Sequence, residues 1–214
     1  MHLEAITWQR MAERLAGHLD DHRPADGEAV WQRAGIDGAP AADTGVLAGH
    51  LAEELRRRGR AVLVVPAEGF LRPASLRYEF GREDVESYLG GWYDTAALWR
   101  EVFGPTDPGG TGRVLPDLWD PVTDRATRSP YAPLPPGGVL LVHGPLLMGH
   151  WFPFDLCVHV RLSPAALARR TEESARWTLP AFARYEAETD PAATADAVVR
   201  ADDPRHPAWT GIRT

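Results

Sequence analysis

Lysine and asparagine are absent from the 214 residues, and all 23 basic residues are arginine. Without lysine there is no amine to cradle a phosphate, form a Schiff base or act as a lysine general base, so arginine is the phosphate-binding cation available. A single cysteine, Cys157, excludes an internal disulfide. Set within an apolar run, it reads as a small buried hydrophobe in a protein of the reducing cytoplasm. No window approaches the ~20 apolar residues of a membrane span. The first thirty residues carry Glu4, Glu13, Asp20 and Asp21 where an export signal would be apolar, so neither membrane insertion nor export is expected. Clustered positive charge is also scarce. The net charge is −7 and Arg56-Arg57-Arg58 is a short basic run, which argues against a nucleic-acid footprint.

What is present suits one compact α/β domain over residues 1–214, with 44% apolar and 25% charged residues. Residues 1–29 are expected to hold a leading amphipathic helix, with Ile6, Met11, Leu15 and Leu19 on one face and Pro24 and Gly27 as its end signals. Residues 30–37 read as a strand running into Gly38, and residues 46–55 repeat helically until Gly59. Residues 61–65, 139–142 and 156–160 are short all-apolar runs, the pattern of strands buried on both faces in a parallel sheet. Ser163-Pro164 supplies an N-cap and a first-turn proline for a helix through Arg170, a second helix covers about residues 179–188, and residues 197–199 close the sheet. The expected architecture is an open five-stranded parallel sheet flanked by helices. Residues 66–138, rich in proline and glycine, read as a substrate or lid insertion between strands. Ligands of such sheets bind beyond the carboxyl ends of the strands, which directs attention to residues 37–45, 68–77 and 143–150.

Residues 35–45 stand where a phosphate-binding loop would, after a strand and before a helix. Such a loop uses glycines to turn backbone N–H groups toward a phosphate, a lysine on the outer phosphates and a hydroxyl for magnesium, in the pattern G-x-x-x-x-G-K-[ST]. Gly38 fits its first glycine, and the next three key places hold Asp43, Thr44 and Gly45. A carboxylate there would repel each phosphate charge by about 4 kcal/mol at 4 Å with an effective dielectric near 20. Two readings follow: Asp43 or Thr44 is the N-cap of a structural helix, or the loop is remodelled for another ligand.

From residue 31 to residue 208 the order of segments resembles the uridine kinase family of P-loop nucleoside kinases, especially its actinobacterial members. Gly35-Ile36-Asp37-Gly38 resembles the start of the family's phosphate loop. Glu68-Gly69-Phe70 resembles the segment whose acid takes the proton of the ribose 5′-hydroxyl, which makes Glu68 the implied catalytic base. Trp92-Tyr93-Asp94 resembles the segment whose aspartate binds ribose hydroxyls, implying that role for Asp94. Residues 116–120 with Asp124 and Arg125 are similar to the hairpin that holds the base, with Trp119 in the stacking place. Residues 139–144 resemble the strand whose terminal acid organises magnesium, and this chain has His143 there. Residues 161–176 resemble the lid, whose implied phosphate-binding arginines are Arg169, Arg170 and Arg176. The resemblance implies a P-loop kinase fold, ATP and magnesium as cofactors, and phosphoryl transfer to a hydroxyl.

Taken singly, Glu68 is either an exposed loop carboxylate or a base positioned at a strand end. His143 contacts a ligand or pairs with His150 or His159, but no cysteine or histidine cluster has metal-site spacing and no metal site is expected. Arg72, Arg77 and Arg82 either meet an anionic substrate or pair locally with Glu79, Glu83 and Asp84. Of the eight tryptophans, Trp119 is the one expected at a ligand and the rest in cores. Residues 202–207 read as a solvated turn. The expected function is binding of a nucleoside or similar hydroxylated small molecule, with phosphoryl transfer from a nucleoside triphosphate if active. The alternative is a catalytically inactive binding or scaffold protein on the same fold.

Overall fold

The computed structural model describes residues 3–23 and 30–213. Its frame is a seven-stranded sheet of β1 (Glu4–Ala5), β2 (Gln32–Asp37), β3 (Val62–Pro66), β4 (Val139–Gly144), β5 (Leu156–Arg161), β6 (Ala197–Arg200) and β7 (Ala208–Trp209), in the order β1-β7-β6-β5-β2-β4-β3. The five strands β2 to β6 pair in parallel, as their apolar runs imply, with Leu140, Leu141, Val158 and Val199 buried. β7 lies antiparallel to both β6 and β1, two short edge strands that the five-strand reading did not include. Cys157 is buried in β5.

The leading helix α1 runs Trp8–Asp21, beginning later than expected because residues 4 and 5 are drawn into the sheet by residues 208 and 209. Thr7 caps it by accepting from the Arg10 N–H. Its expected end signals, Pro24 and Gly27, lie outside the described residues. The next strand starts at Gln32 rather than at residue 30. Met11, Leu15 and Leu19 of α1 meet Leu47, Leu51 and Leu55 of α2 (Thr44–Arg57) in one buried layer over the sheet. No helix among the described residues is long and apolar enough to cross a membrane.

The other face is covered by residues 66–138, which are more structured than their turn-rich sequence suggests. Phe70, Leu98, Val102 and Phe103 are fully buried or nearly so and pack with Val142 of β4. The segment contains α3 (Val85–Gly91) and two short antiparallel ribbons, Arg113–Val114 with Ala132–Pro133 and Trp119–Asp120 with Arg125–Ala126. After β5 come α4 (Pro164–Arg170), capped by Ser163 as expected, a 3-10 segment Glu173–Thr178, and α5 (Leu179–Glu188).

Strand β2 lies between β4 and β5, so the chain leaves the sheet in opposite directions on its two sides, and a crevice opens where that happens. At this point sits Asp37, fully buried, accepting from the Leu147 N–H at 2.9 Å and the Tyr185 hydroxyl at 3.0 Å. Its other oxygen is 2.7 Å from His159 Nδ1, and His159 Nε2 is 2.9 Å from Glu186 of α5. Glu186 also meets Arg161 Nε at 3.2 Å. Burial pushes the His159 imidazole down, but the bonds to Asp37 and Glu186 win and raise its pKa to about 9. The network therefore holds an imidazolium between two carboxylates at neutral pH.

A folded-state pKa above the unfolded value means stabilisation that is complete below about pH 6.5 and is lost as pH rises through about 9. The full effect is on the order of 3 kcal/mol. Thermal melts from pH 6 to pH 10 should show wild type and His159→Gln far apart at the acid end and converging at the alkaline end. A constant separation would rule out a proton held by His159.

Candidate functional site

The phosphate-loop position begins with Gly38, whose N–H donates to the Gly144 carbonyl at 3.2 Å. A Cβ on Gly38 would stand 2.7 Å from the Val160 carbonyl oxygen, so packing against β5 alone demands glycine there. A 3-10 turn, Pro40–Ala42, leads to Asp43, whose backbone is left-handed (φ 52°, ψ 59°). That is the conformation a glycine would favour, and aspartate is among the few other residues that enter it readily. Asp43 occupies the N-cap place of α2, but its side chain makes no capping hydrogen bond.

Thr44 opens α2 and is buried, with Oγ1 3.1 Å from Nδ1 of His143 at the end of β4. Burial pushes the His143 imidazole below its usual pKa, against the opposing charge of Asp43. The pair is thus a neutral hydroxyl–imidazole hydrogen bond. Gly45 follows without a hydroxyl. A magnesium triphosphate at this loop calls for an amine, a neighbouring hydroxyl and a strand-end carboxylate; Thr44, Gly45 and His143 form a donor set that does not fit it. His159 faces Asp37 and Glu186, away from this pair, and His150 packs beside the Phe152 ring.

Glu68 lies in the turn Ala67–Phe70 that follows β3. Burial pushes its carboxyl pKa up, opposed only by its own backbone N–H, and no other described residue hydrogen-bonds to its side chain. Gly144, next to His143, has φ +145°, and a Cβ there would lie 2.7 Å from the Ala67 Cβ and 3.3 Å from Glu68 Oε2. The Glu68 carboxyl group thus rests against the end of β4. The phenols of Tyr88 and Tyr93 are pushed up by burial, and the charge of Glu68 adds to both shifts.

Those two phenols belong to a cleft of about 680 Å³ between the loop residues Pro40 and Ala41 on one side and residues 170–178 of the lid-like segment on the other. Its wall is a mutually packed group of rings: Tyr88 and Trp92 lie 4.9 Å apart edge to face, and Trp92 and Trp177 are 5.3 Å apart. Arg82 and Arg170 bring positive charge to the rim, and Glu83 and Glu172 bring negative charge.

The residues expected to hold a base stand behind this wall. Trp119 Nε1 donates to Asp124 at 2.9 Å, and the same carboxylate takes the Ala74 N–H at 3.0 Å and Arg77 at 3.1 Å. The Arg77 guanidinium in turn lies over the rings of Tyr78 and Trp92, at 5.1 and 5.2 Å. Trp119 and Asp124 are therefore a brace for the cleft, and Arg125 is exposed at the ribbon's edge. Asp94 caps the turn Thr95–Ala97 through the Ala97 N–H at 2.8 Å, and its own N–H donates to the Phe70 carbonyl, which keeps it beside the Glu68 turn. Of the lid arginines, Arg170 lines the cleft while donating to the Ala201 carbonyl; Arg169 and Arg176 are exposed. Tyr88, Trp92, Trp177 and Phe182 were not singled out as ring contacts from sequence; the Tyr88–Trp92 spacing of four in a helical stretch was the available signal.

No protein-family model matches the chain, nor does any curated protein sequence. Solved structures do. A possible uridine kinase from Bacillus stearothermophilus superposes with a TM-score of 0.70 at 20% identity, over 87% of this chain and 96% of that one. A candidate fructose transport system kinase from Silicibacter sp. TM1040 gives 0.60 at 19% identity, over 89% and 95%. A D-glycerate 3-kinase from Cryptococcus neoformans gives 0.50 at 13% identity, over 86% and 80%. At these identities the likeness is one of fold, and the chain has the α/β fold of the P-loop kinases.

Proposed function

We propose that the cleft holds a hydroxylated small molecule bearing a flat ring, of the nucleoside class, with one hydroxyl directed at Glu68. The observation that carries this reading is the Glu68 carboxyl group: half-buried, hydrogen-bonded to no other described residue, and near enough to Tyr88 and Tyr93 of the cleft wall for its charge to raise both phenols. Glu68 is half-buried, so its carboxyl group is accessible to a ligand and has no bond to another described residue to give up first. A substrate hydroxyl would donate to it, and a carboxyl pKa raised by burial favours acceptance of that hydroxyl's proton. The fold neighbours are described as acting on uridine, fructose and D-glycerate, all polyhydroxylated, and the ring-rich wall favours the first of these classes. Where a phosphoryl donor binds, the same placement serves transfer to that hydroxyl, the reaction implied by the resemblance to uridine kinases. Glu68 is the base in that step, Arg82 and Arg170 are the cations at the rim, and Asp94 supports the turn that carries Glu68.

Calorimetric titration with a panel of nucleosides, sugars and sugar acids tests the reading. At least one nucleoside should bind saturably and quench the fluorescence of Trp92 and Trp177, whereas a panel without any binder sinks the proposal. Glu68→Gln should retain that affinity and lower any product formation by about 10²-fold or more. Undiminished turnover would remove Glu68 from the chemistry, and binding without product for every donor tried would identify a binding protein.

A second pair of variants separates wall from brace. Arg77→Ala removes the ring stacking and the bond to Asp124, and should cost about 3 kcal/mol of stability in urea titrations along with ligand affinity. Trp119→Phe deletes one hydrogen bond, should cost about 1 kcal/mol, and should leave affinity unchanged. Loss of ligand in Trp119→Phe at retained stability would show that Trp119 contacts the ligand itself.

A further inference from the structure

The four departures from a phosphate-loop pattern, at residues 43, 44, 45 and 143, are neighbours in space. Asp43 keeps the left-handed turn that the glycine of such a loop would make, so the backbone path of the loop is retained, but it places a carboxylate in that path. From a Cβ position on Gly45, Asp43 Oδ1 and His143 Cε1 are each 3.5 Å away. The carboxylate therefore lies against the first turn of α2, where the partial positive charge of the helix N-terminus would otherwise meet a phosphate. Thr44, beside it, is buried and joined to His143, so the place between the start of α2 and the end of β4 is bridged by a hydrogen bond of the protein's own.

We infer that this loop is occupied by its own side chains: Asp43 stands in for the phosphate and the Thr44–His143 bond closes the gap that a lysine and a strand-end acid would span, so that the protein binds its cleft ligand without a magnesium nucleoside triphosphate. The downward push on the His143 pKa supports this, because it favours an uncharged pair that needs no counter-ion. Space is not what excludes the triphosphate loop. The contacts that a side chain at residue 45 would make are of ordinary van der Waals length, so a serine fits there, and the left-handed turn at residue 43 suits glycine better than aspartate. The inference takes from the proposed function only that the cleft is a binding site, and it narrows that function from transfer to binding.

The test uses the full chain with Mg-ATP, Mg-GTP and inorganic tripolyphosphate, read by calorimetry and thermal shift. Wild type should show no saturable binding of any of the three. Asp43→Gly alone should gain weak tripolyphosphate binding, and the combined variant Asp43→Gly, Thr44→Lys, Gly45→Ser, His143→Asp should gain saturable Mg-ATP binding that tripolyphosphate competes away. Saturable, tripolyphosphate-competed binding of Mg-ATP to wild type overturns the inference. So does a combined variant that is folded by circular dichroism and still ignores both ligands, with Asp43→Gly equally silent. The nucleoside panel is measured without nucleotide, so a cleft that binds no nucleoside refutes the proposed function while leaving this result to stand separately.

Discussion

The rest of the structure depends on a buried carboxylate at the end of the central strand. Asp37 has no access to solvent, and an isolated charge there would be prohibitively costly. It is held by a hydroxyl, a backbone N–H and an imidazolium, and each donor comes from a different part of the chain: Tyr185 on α5, Leu147 in the loop after β4, and His159 in β5. Satisfying this one group therefore fixes the relative positions of three elements. Glu186 extends the same network one step further along α5. The cleft inherits its geometry from that arrangement, since Phe182 of α5 forms one side of it and Pro40 and Ala41, just beyond Asp37, form the other.

Against this rigid background, the two halves of the crevice treat their polar groups differently. On the acceptor side Glu68 is half-buried and hydrogen-bonded to no other described residue, while Asp124 takes three donors and Arg77 is stacked and hydrogen-bonded. On the loop side the pattern is reversed, because Thr44 and His143 satisfy each other. The open carboxyl is the basis of the proposed ligand contact, and the closed pair is the basis of the inference that the loop is self-occupied.

The sheet was largely legible because strands covered on both faces are mostly apolar: residues 139–142 and 156–160, the latter broken only by His159, are buried, whereas the edge strand 62–66 is apolar but only partly covered. The two short edge strands were not, because two residues carry no periodicity and Glu4–Ala5 exists only because Ala208–Trp209 arrives from the far end of the chain. Residues 66–138 looked irregular since their anchors, Phe70, Leu98, Val102 and Phe103, are spaced to suit a folded-back path rather than a single helix or strand. Within the site, the strand-end positions of Glu68 and His143 followed from sequence. Sequence did not show where the tryptophans meet: Trp119 is hydrogen-bonded to Asp124 in a loop-rich stretch, whereas Trp92 and Trp177 line the cleft. Sequence spacing says which residues share an element, as Tyr88 and Trp92 do, but Trp177 reaches Trp92 from another element, and so do both partners of His159.

The glycines of the loop separate what the fold requires from what a ligand would require. Gly38 is needed whatever the loop binds, because any side chain would run into the Val160 backbone, and Gly35 is needed because a Cβ would meet the Phe154 ring at 2.8 Å. These two positions are glycine. Residue 43 needs only a left-handed backbone, which aspartate tolerates, and the reason to keep a bare glycine there would be close approach of a phosphate. Residue 44 needs a side chain that fits a buried gap beside β4, which threonine fills once His143 accepts or supplies the hydrogen bond. Gly38, held by packing, matches the phosphate-loop pattern, and residues 43, 44 and 45 depart from it. On the inference drawn above, a loop that no longer holds a phosphate keeps the glycine its packing demands and is free to change at the positions a phosphate would need.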